Sequence, residues 1–160
     1  MSIQVGGKIP SVKVKVVSKD GTKEANSADL FAGKKVVLFA VPGAFTPLCS
    51  AQHLPGFVTK ADEIKRKGVD EIYCLSVNDG WVMDAWGKDR GATGKVTLIA
   101  DGSGELTKAL GLELDATAAG LGIRSQRYAA IIQDGVVKHL AVEKPMKFEV
   151  SSAEAVLQAL

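Results

Sequence analysis

The chain has only two cysteines, Cys49 and Cys74, among 160 residues. That is too few for the disulfide scaffold of a small secreted domain, or for a four-cysteine zinc site. They stand 25 positions apart, so no C-x-x-C redox pair exists. Two histidines, His53 and His139, are too few for most all-histidine metal centres. No charge of one sign dominates: 20 basic residues face 18 acidic ones, a net charge of +2. A nucleic-acid-binding surface would need a stronger basic field. No apolar run approaches the ~20 residues of a transmembrane helix, and the longest, Val36 to Pro42, has strand length. Met1 to Lys8 lacks a basic region ahead of an apolar one, so no signal peptide is expected. The expected setting is cytoplasmic. A mature chloroplast or mitochondrial form without its transit peptide is the alternative.

What is present is ordinary globular composition, 46% hydrophobic and 24% charged. The length fits one domain over residues 1–160, by the prior of ~100–200 residues per domain. Such a chain buries roughly 70% of the surface that it exposes when unfolded. No composition break or internal repeat divides it.

Val12 to Val17 alternates apolar and basic residues, the period of a strand with one wet face. Asp20-Gly21 marks a turn, and Ser27 is the expected N-cap of a short helix ending near Gly33. Val36 to Val41 and Ile72 to Val77 are continuously apolar, as in strands buried on both faces. Residues from about Ser50 to Lys67 read as a helix closed by Gly68, with a kink expected at Pro55. Trp81 to Lys88 and Glu105 to Leu110 read as helices, and Val96 to Ala100 as a strand. Asp134-Gly135 between two β-rich runs is a strong hairpin signal. Ser151 to Glu154 reads as a capping box opening the last helix, Ser152 to Leu160. Together these predict an α/β fold, a three-layer α/β/α sandwich around a central mixed sheet.

The chemistry concentrates in Pro42-Gly-Ala-Phe-Thr46-Pro-Leu-Cys49-Ser-Ala-Gln-His53, between a buried strand and a helix. The end of a parallel strand beside a helix N-terminus is where open α/β sheets place their sites. Cys49 falls in the first helical turn, where free N–H groups and the positive end of the helix dipole favour an anion. The anionic, nucleophilic form of cysteine is the thiolate. Helix N-termini and nearby cations lower thiol pKa values from about 8.5 to roughly 3.5–7.5. Thr46, three residues earlier, can present its hydroxyl to the sulfur or to a substrate oxygen. Pro42 would stiffen the loop and shield the thiol. A small buried hydrophobe is the competing reading of Cys49.

The run P-G-A-F-T-P-x-C-S-x-x-H-x-P-G-F resembles the active-site segment of the peroxiredoxins, in detail the type II or peroxiredoxin-5 subfamily. The family's P-x-x-x-T-x-x-C core stands here as Pro42, Thr46 and Cys49. Cys74-Leu-Ser-Val-Asn78-Asp79, Trp86-Gly87, Leu98-Ile-Ala-Asp101 and Arg127-Tyr128 extend the resemblance over essentially the whole chain.

The resemblance implies a thioredoxin-like fold and a thiol peroxidase for hydrogen peroxide and organic hydroperoxides. Cys49 would be the peroxidatic thiol, oxidised to a sulfenic acid. Thr46 and Pro42 would complete its pocket. Arg127 matches the family arginine that holds the peroxide and favours the thiolate, and Arg124 is the rival choice. His53, four residues past Cys49, either orders the pocket or is a buried histidine with a backbone partner. Cys74 matches a cysteine of plant-like type II members that can resolve the sulfenic acid. It equally reads as a buried strand residue. The C-terminal segment from Phe148 to Ser152 has no cysteine, a departure from the atypical two-cysteine members. Either Cys74 resolves the sulfenic acid, or an external thiol does: glutathione with glutaredoxin, or thioredoxin. Phe45, Phe57 and Leu121 could accommodate an alkyl tail. A homodimer packed beside the active-site loops is implied, and no metal or organic cofactor.

Three other readings compete. A thiol–disulfide oxidoreductase lacks its C-x-x-C here. A peroxide sensor or chaperone-like oligomer would share Cys49 without needing rapid recycling. A non-catalytic α/β binding module predicts an ordinary thiol.

Overall fold

The structure is a computed structural model describing residues 2–160. Seven strands make one mixed sheet: β1 (Lys13–Ser18), β2 (Gly21–Asn26), β3 (Lys35–Ala40), β4 (Glu71–Ser76), β5 (Thr97–Ala100), β8 (Tyr128–Gln133) and β9 (Val136–Val142). Their spatial order is β2-β1-β5-β4-β3-β8-β9. The centre is parallel, β5-β4-β3, and both flanks are antiparallel. A separate two-stranded sheet pairs β6 (Glu113–Asp115) with β7 (Ile123–Ser125).

Alternation along the central strands builds two cores. Val37 and Phe39 of β3, Ile72 and Cys74 of β4, and Ala129 and Ile131 of β8 face one side. There they meet α2 (Leu54–Arg66), α3 (Gly80–Asp89) and α5 (Ala153–Ala159) through Leu54, Phe57, Met83, Trp86 and Val156. Val36, Leu38, Tyr73, Leu75 and Ile132 face the other side, with Phe31 of α1 (Ser27–Phe31) and Leu106 of α4 (Glu105–Leu110). This is the expected three-layer α/β/α arrangement with its mixed sheet.

The hairpin at Asp134-Gly135 turns with positive φ at both residues, 48° and 75°, as a type I′ turn requires. Several boundaries differ from expectation. The segment after the Asp20-Gly21 turn signal, to which the sequence pattern assigns no element, forms the edge strand β2. Its polar sequence carries no apolar alternation because the strand is largely exposed; its ladder to β1 defines it. Asn26, not Ser27, caps α1, its Oδ1 accepting the Ala28 N–H at 2.9 Å. Ser27 is buried, and its Oγ accepts the Val12 N–H and donates to the Pro10 carbonyl. α1 stops at Phe31 rather than near Gly33. At the other end, Ser152 caps α5 by accepting the Ala155 N–H, and Ser151 turns inward instead of capping. The expected single helix from Ser50 instead opens at Pro47, widens into a π turn over Cys49–His53, and continues as α2. Pro55 therefore sits in the first turn of the α-helical part, where its missing N–H is tolerated, and the distortion precedes it.

Candidate active site

β3, held between parallel β4 and antiparallel β8, delivers the chain to the loop Pro42–Thr46. Val41 N–H still bonds the Leu75 carbonyl at 3.0 Å, so the loop leaves from a fixed point. Asn78, beyond β4, holds it by accepting the Ala44 N–H at 3.0 Å and the Ser76 hydroxyl. Phe45 takes a positive φ of 64° and is half exposed. A left-handed phenylalanine is strained backbone at the loop's tip. The Thr46 hydroxyl donates to the Gly43 carbonyl at 2.6 Å, and Ser50 N–H bonds the Thr46 carbonyl. The packing at Gly43 is tight: a Cβ there would stand 3.0 Å from both Arg124 Nη1 and Thr46 Cγ2, so those side chains would have to give way.

Cys49 lies in the first helical turn with no exposed surface. Arg127, at the head of β8, donates from Nη2 to Cys49 Sγ at 3.0 Å and from Nη1 to His53 Nδ1 at 2.8 Å. The His53 Nε2 lies 2.9 Å from the Ser151 carbonyl. A carbonyl only accepts, so Nε2 carries the proton and Nδ1 is the acceptor facing Arg127. Burial, and then the Arg127 charge, drive the His53 pKa down to about 3; the Ser151 bond and the Glu143 charge oppose them. His53 is thus neutral and fully buried, and does not offer itself as a proton-accepting base.

The His53 ring is held by aromatic neighbours. Phe148 meets it edge-on at 4.9 Å and Phe39 at 4.9 Å, and Phe39 stacks on Phe57 at 3.9 Å. Phe148 also lies 5.9 Å from the Arg127 guanidinium carbon, in cation–π range. The indole N–H of Trp86 donates to Ser50 Oγ at 2.9 Å, tying the π turn to α3. Phe57 is wholly buried, so it is core rather than a lining for substrate.

Arg124 does not touch the sulfur. Its Nε donates to the Leu121 carbonyl at 2.9 Å and its Nη1 reaches the Pro42 carbonyl at 3.4 Å, bracing one loop against another. Cys74 is buried in β4, opposite Phe39 on one side and Leu98 on the other. Both cysteines are free thiols. Burial first, then the neighbouring Cys49 charge, push the Cys74 thiol well up; Arg127 offsets this in part.

A groove of about 420 Å³ runs past this cluster, with Pro42, Thr46, Leu48, Leu121 and Arg127 among the residues in its walls. Two residues of the cluster carry no signal in the local sequence. Glu143, directly after β9, accepts N–H bonds from residues 149, 150 and 151, and Ser151 supplies the carbonyl for His53. Ser151 and His53 are 98 positions apart, and only the fold joins them.

The Redoxin family model matches residues 4–157. Peroxiredoxin-2E, chloroplastic, of Arabidopsis thaliana is 52% identical over 163 residues, covering 99% of this chain and 70% of that protein. Peroxiredoxin-2B of the same plant is 51% identical, covering 99% and 98%. Reduced Prx3 of Vibrio vulnificus, crystallised in complex with H2O2, superimposes with a TM-score of 0.93 at 52% identity, covering 98% of each chain. No helix of the described residues is long and apolar enough to cross a membrane. The chain belongs to the Redoxin family as a type II peroxiredoxin of the thioredoxin-fold superfamily, a thiol peroxidase that reduces peroxides with a redox-active cysteine.

Proposed function

We propose that Cys49 is the peroxidatic cysteine, and that Arg127, Thr46 and Pro42 form its pocket. The observation that carries this is the 3.0 Å contact from Arg127 Nη2 to Cys49 Sγ at a helix start. A guanidinium donating to sulfur stabilises negative charge on it. The thiolate attacks one oxygen of a hydroperoxide, forming an S–O bond as the O–O bond breaks. Its electron pair leaves on the distal oxygen, which departs as water or an alcohol after taking a proton. Cys49 is left as the sulfenic acid.

Thr46 already donates its hydroxyl proton to Gly43, so its oxygen is free to accept the O–H of a peroxide. Arg127 and the first-turn N–H of Cys49 face charge developing on oxygen. The groove beside Thr46 and Arg127 has Leu48 and Leu121 in its walls, which suits the alkyl part of an organic hydroperoxide as well as hydrogen peroxide.

The sulfenic acid is resolved by an external thiol, glutathione with glutaredoxin or else thioredoxin. Cys74 is a weak candidate for this role, because its buried thiol is held in the protonated, less nucleophilic form. A homodimer packing beside the active-site loops would cover the exposed Phe45. The proposed setting is cytoplasmic, and fractionation of cells would reveal the organellar alternative. Steady-state assays with each reductant in turn, on wild type and Cys74→Ala, test the recycling route. Loss of turnover in Cys74→Ala with every external thiol would assign resolution to Cys74.

A further inference from the structure

Glu143 is a buried carboxylate with no ion-pair partner among the described residues. It accepts four donors from one short segment: the N–H groups of Glu149 and Val150 at 2.8 Å each, and the N–H and hydroxyl of Ser151 at 2.8 and 2.7 Å. Burial pushes its pKa up, but these bonds outweigh that and hold it below the usual carboxylate range. Its own N–H donates to the Arg127 carbonyl at 2.9 Å. One residue is therefore bonded through its backbone to Arg127, and through its carboxylate to the segment that carries Phe148 and the Ser151 carbonyl.

That carbonyl decides the proton position on His53. With Nε2–H satisfied there, Nδ1 is bare and accepts from Arg127. The other tautomer would set an N–H against an N–H and drive the guanidinium away from both His53 and the sulfur. We propose that Glu143 is a positioning residue for the reaction at Cys49: by clamping residues 149–151 it fixes the His53 tautomer, and through it the aim of Arg127 at the thiol. This rests on Cys49 being the peroxidatic cysteine.

The test uses the full reduced chain as wild type, Glu143→Ala, Glu143→Gln and Asp101→Asn. Asp101 is a comparable buried carboxylate, bonded to the N–H groups of Leu106 and Thr107 away from the cluster. Nitrogen NMR of the His53 ring reports the tautomer, and stopped flow gives the rate with hydrogen peroxide. Glu143→Ala is expected to lose about tenfold or more in rate, since ~1 Å of misplacement can cost ~100-fold. It is also expected to lose the pure Nε2–H signal. Glu143→Gln keeps an acceptor oxygen and is expected to recover most of both, and Asp101→Asn is expected to retain both. A folded Glu143→Ala with wild-type rate and ring signal overturns the proposal, as does an equal loss in Asp101→Asn. If Glu143→Ala does not fold, Glu143→Asp carries the test, because its shorter carboxylate cannot reach all four donors. Wild-type rate and ring signal in that variant overturn the proposal equally. Failure of the underlying reading looks different: Cys49→Ser would keep its peroxidase activity, whatever the state of His53.

Discussion

Arg127 donates to the unprotonated Nδ1 of His53 at 2.8 Å while a second nitrogen of the same guanidinium touches Cys49 Sγ at 3.0 Å. The planar fork holds two acceptors at a fixed separation, which a single-point cation cannot do. His53 is thus the rest against which the arginine is aimed.

Arg127→Lys is expected to cut the rate of oxidation by peroxide by ~100-fold or more, the scale of losing one preorganised donor at a developing charge. Arg124→Ala, which removes the brace between the Leu121 and Pro42 carbonyls and no contact to the sulfur, should lose much less. Equal losses in the two arginine variants would move the role away from Arg127.

His53→Phe preserves the ring's packing against Phe39, Phe57 and Phe148 but removes both nitrogens. It leaves the Ser151 carbonyl and one Arg127 N–H without partners. The expected cost is about 1–3 kcal/mol per buried unsatisfied group in a urea melt, with a rate loss of about tenfold. An unchanged rate would make the histidine a packing residue alone.

Acid should destabilise the fold in a defined window. The folded His53 pKa of about 3 lies below the ordinary 6.5, so only the unfolded chain takes up this proton between those values. Stability therefore falls as pH drops from about 6.5 toward 3, by a few kcal/mol in order of magnitude. Glu143 acts in the same direction. Its folded pKa is depressed, so its stabilisation is present above the unfolded value of about 4.3 and is lost below it. Urea midpoints measured at about pH 7.5, 5.5 and 4 should fall in that order, and the fall from 7.5 to 5.5 should be smaller in His53→Phe.

Cys74→Ala removes a buried sulfur from the centre of the sheet and should cost on the order of 1 kcal/mol in stability. The first oxidation by peroxide should keep its wild-type rate. Mass spectrometry of oxidised wild type with glutathione should find the mixed disulfide on Cys49. An internal Cys49–Cys74 disulfide as the dominant product would contradict external resolution.

The fold was legible wherever physics acts locally. The buried runs of β3 and β4, the Asp134-Gly135 hairpin and the final helix all stand near their expected places. β2 was not, because a polar edge strand is defined by its ladder rather than by its own pattern. The π turn was not either: Pro55 points to a distortion, but the π turn lies ahead of it, over Cys49–His53. Of the site, Cys49, Thr46 and Pro42 lie in one motif and Arg127 came through family resemblance. Glu143 and Ser151 were invisible, because a carboxylate after a strand and a serine beside a helix cap look like ordinary surface residues until the fold closes. By sequence Ser151 even reads as a cap, a role that Ser152 takes.

The identity of the reacting thiol is decided by stopped-flow oxidation with hydrogen peroxide of wild type and Cys49→Ser, each fully reduced. Wild type should react rapidly and yield a sulfenic acid at residue 49, and Cys49→Ser should show no fast phase although Cys74 is intact. A fast phase of wild-type amplitude in Cys49→Ser would contradict the assignment.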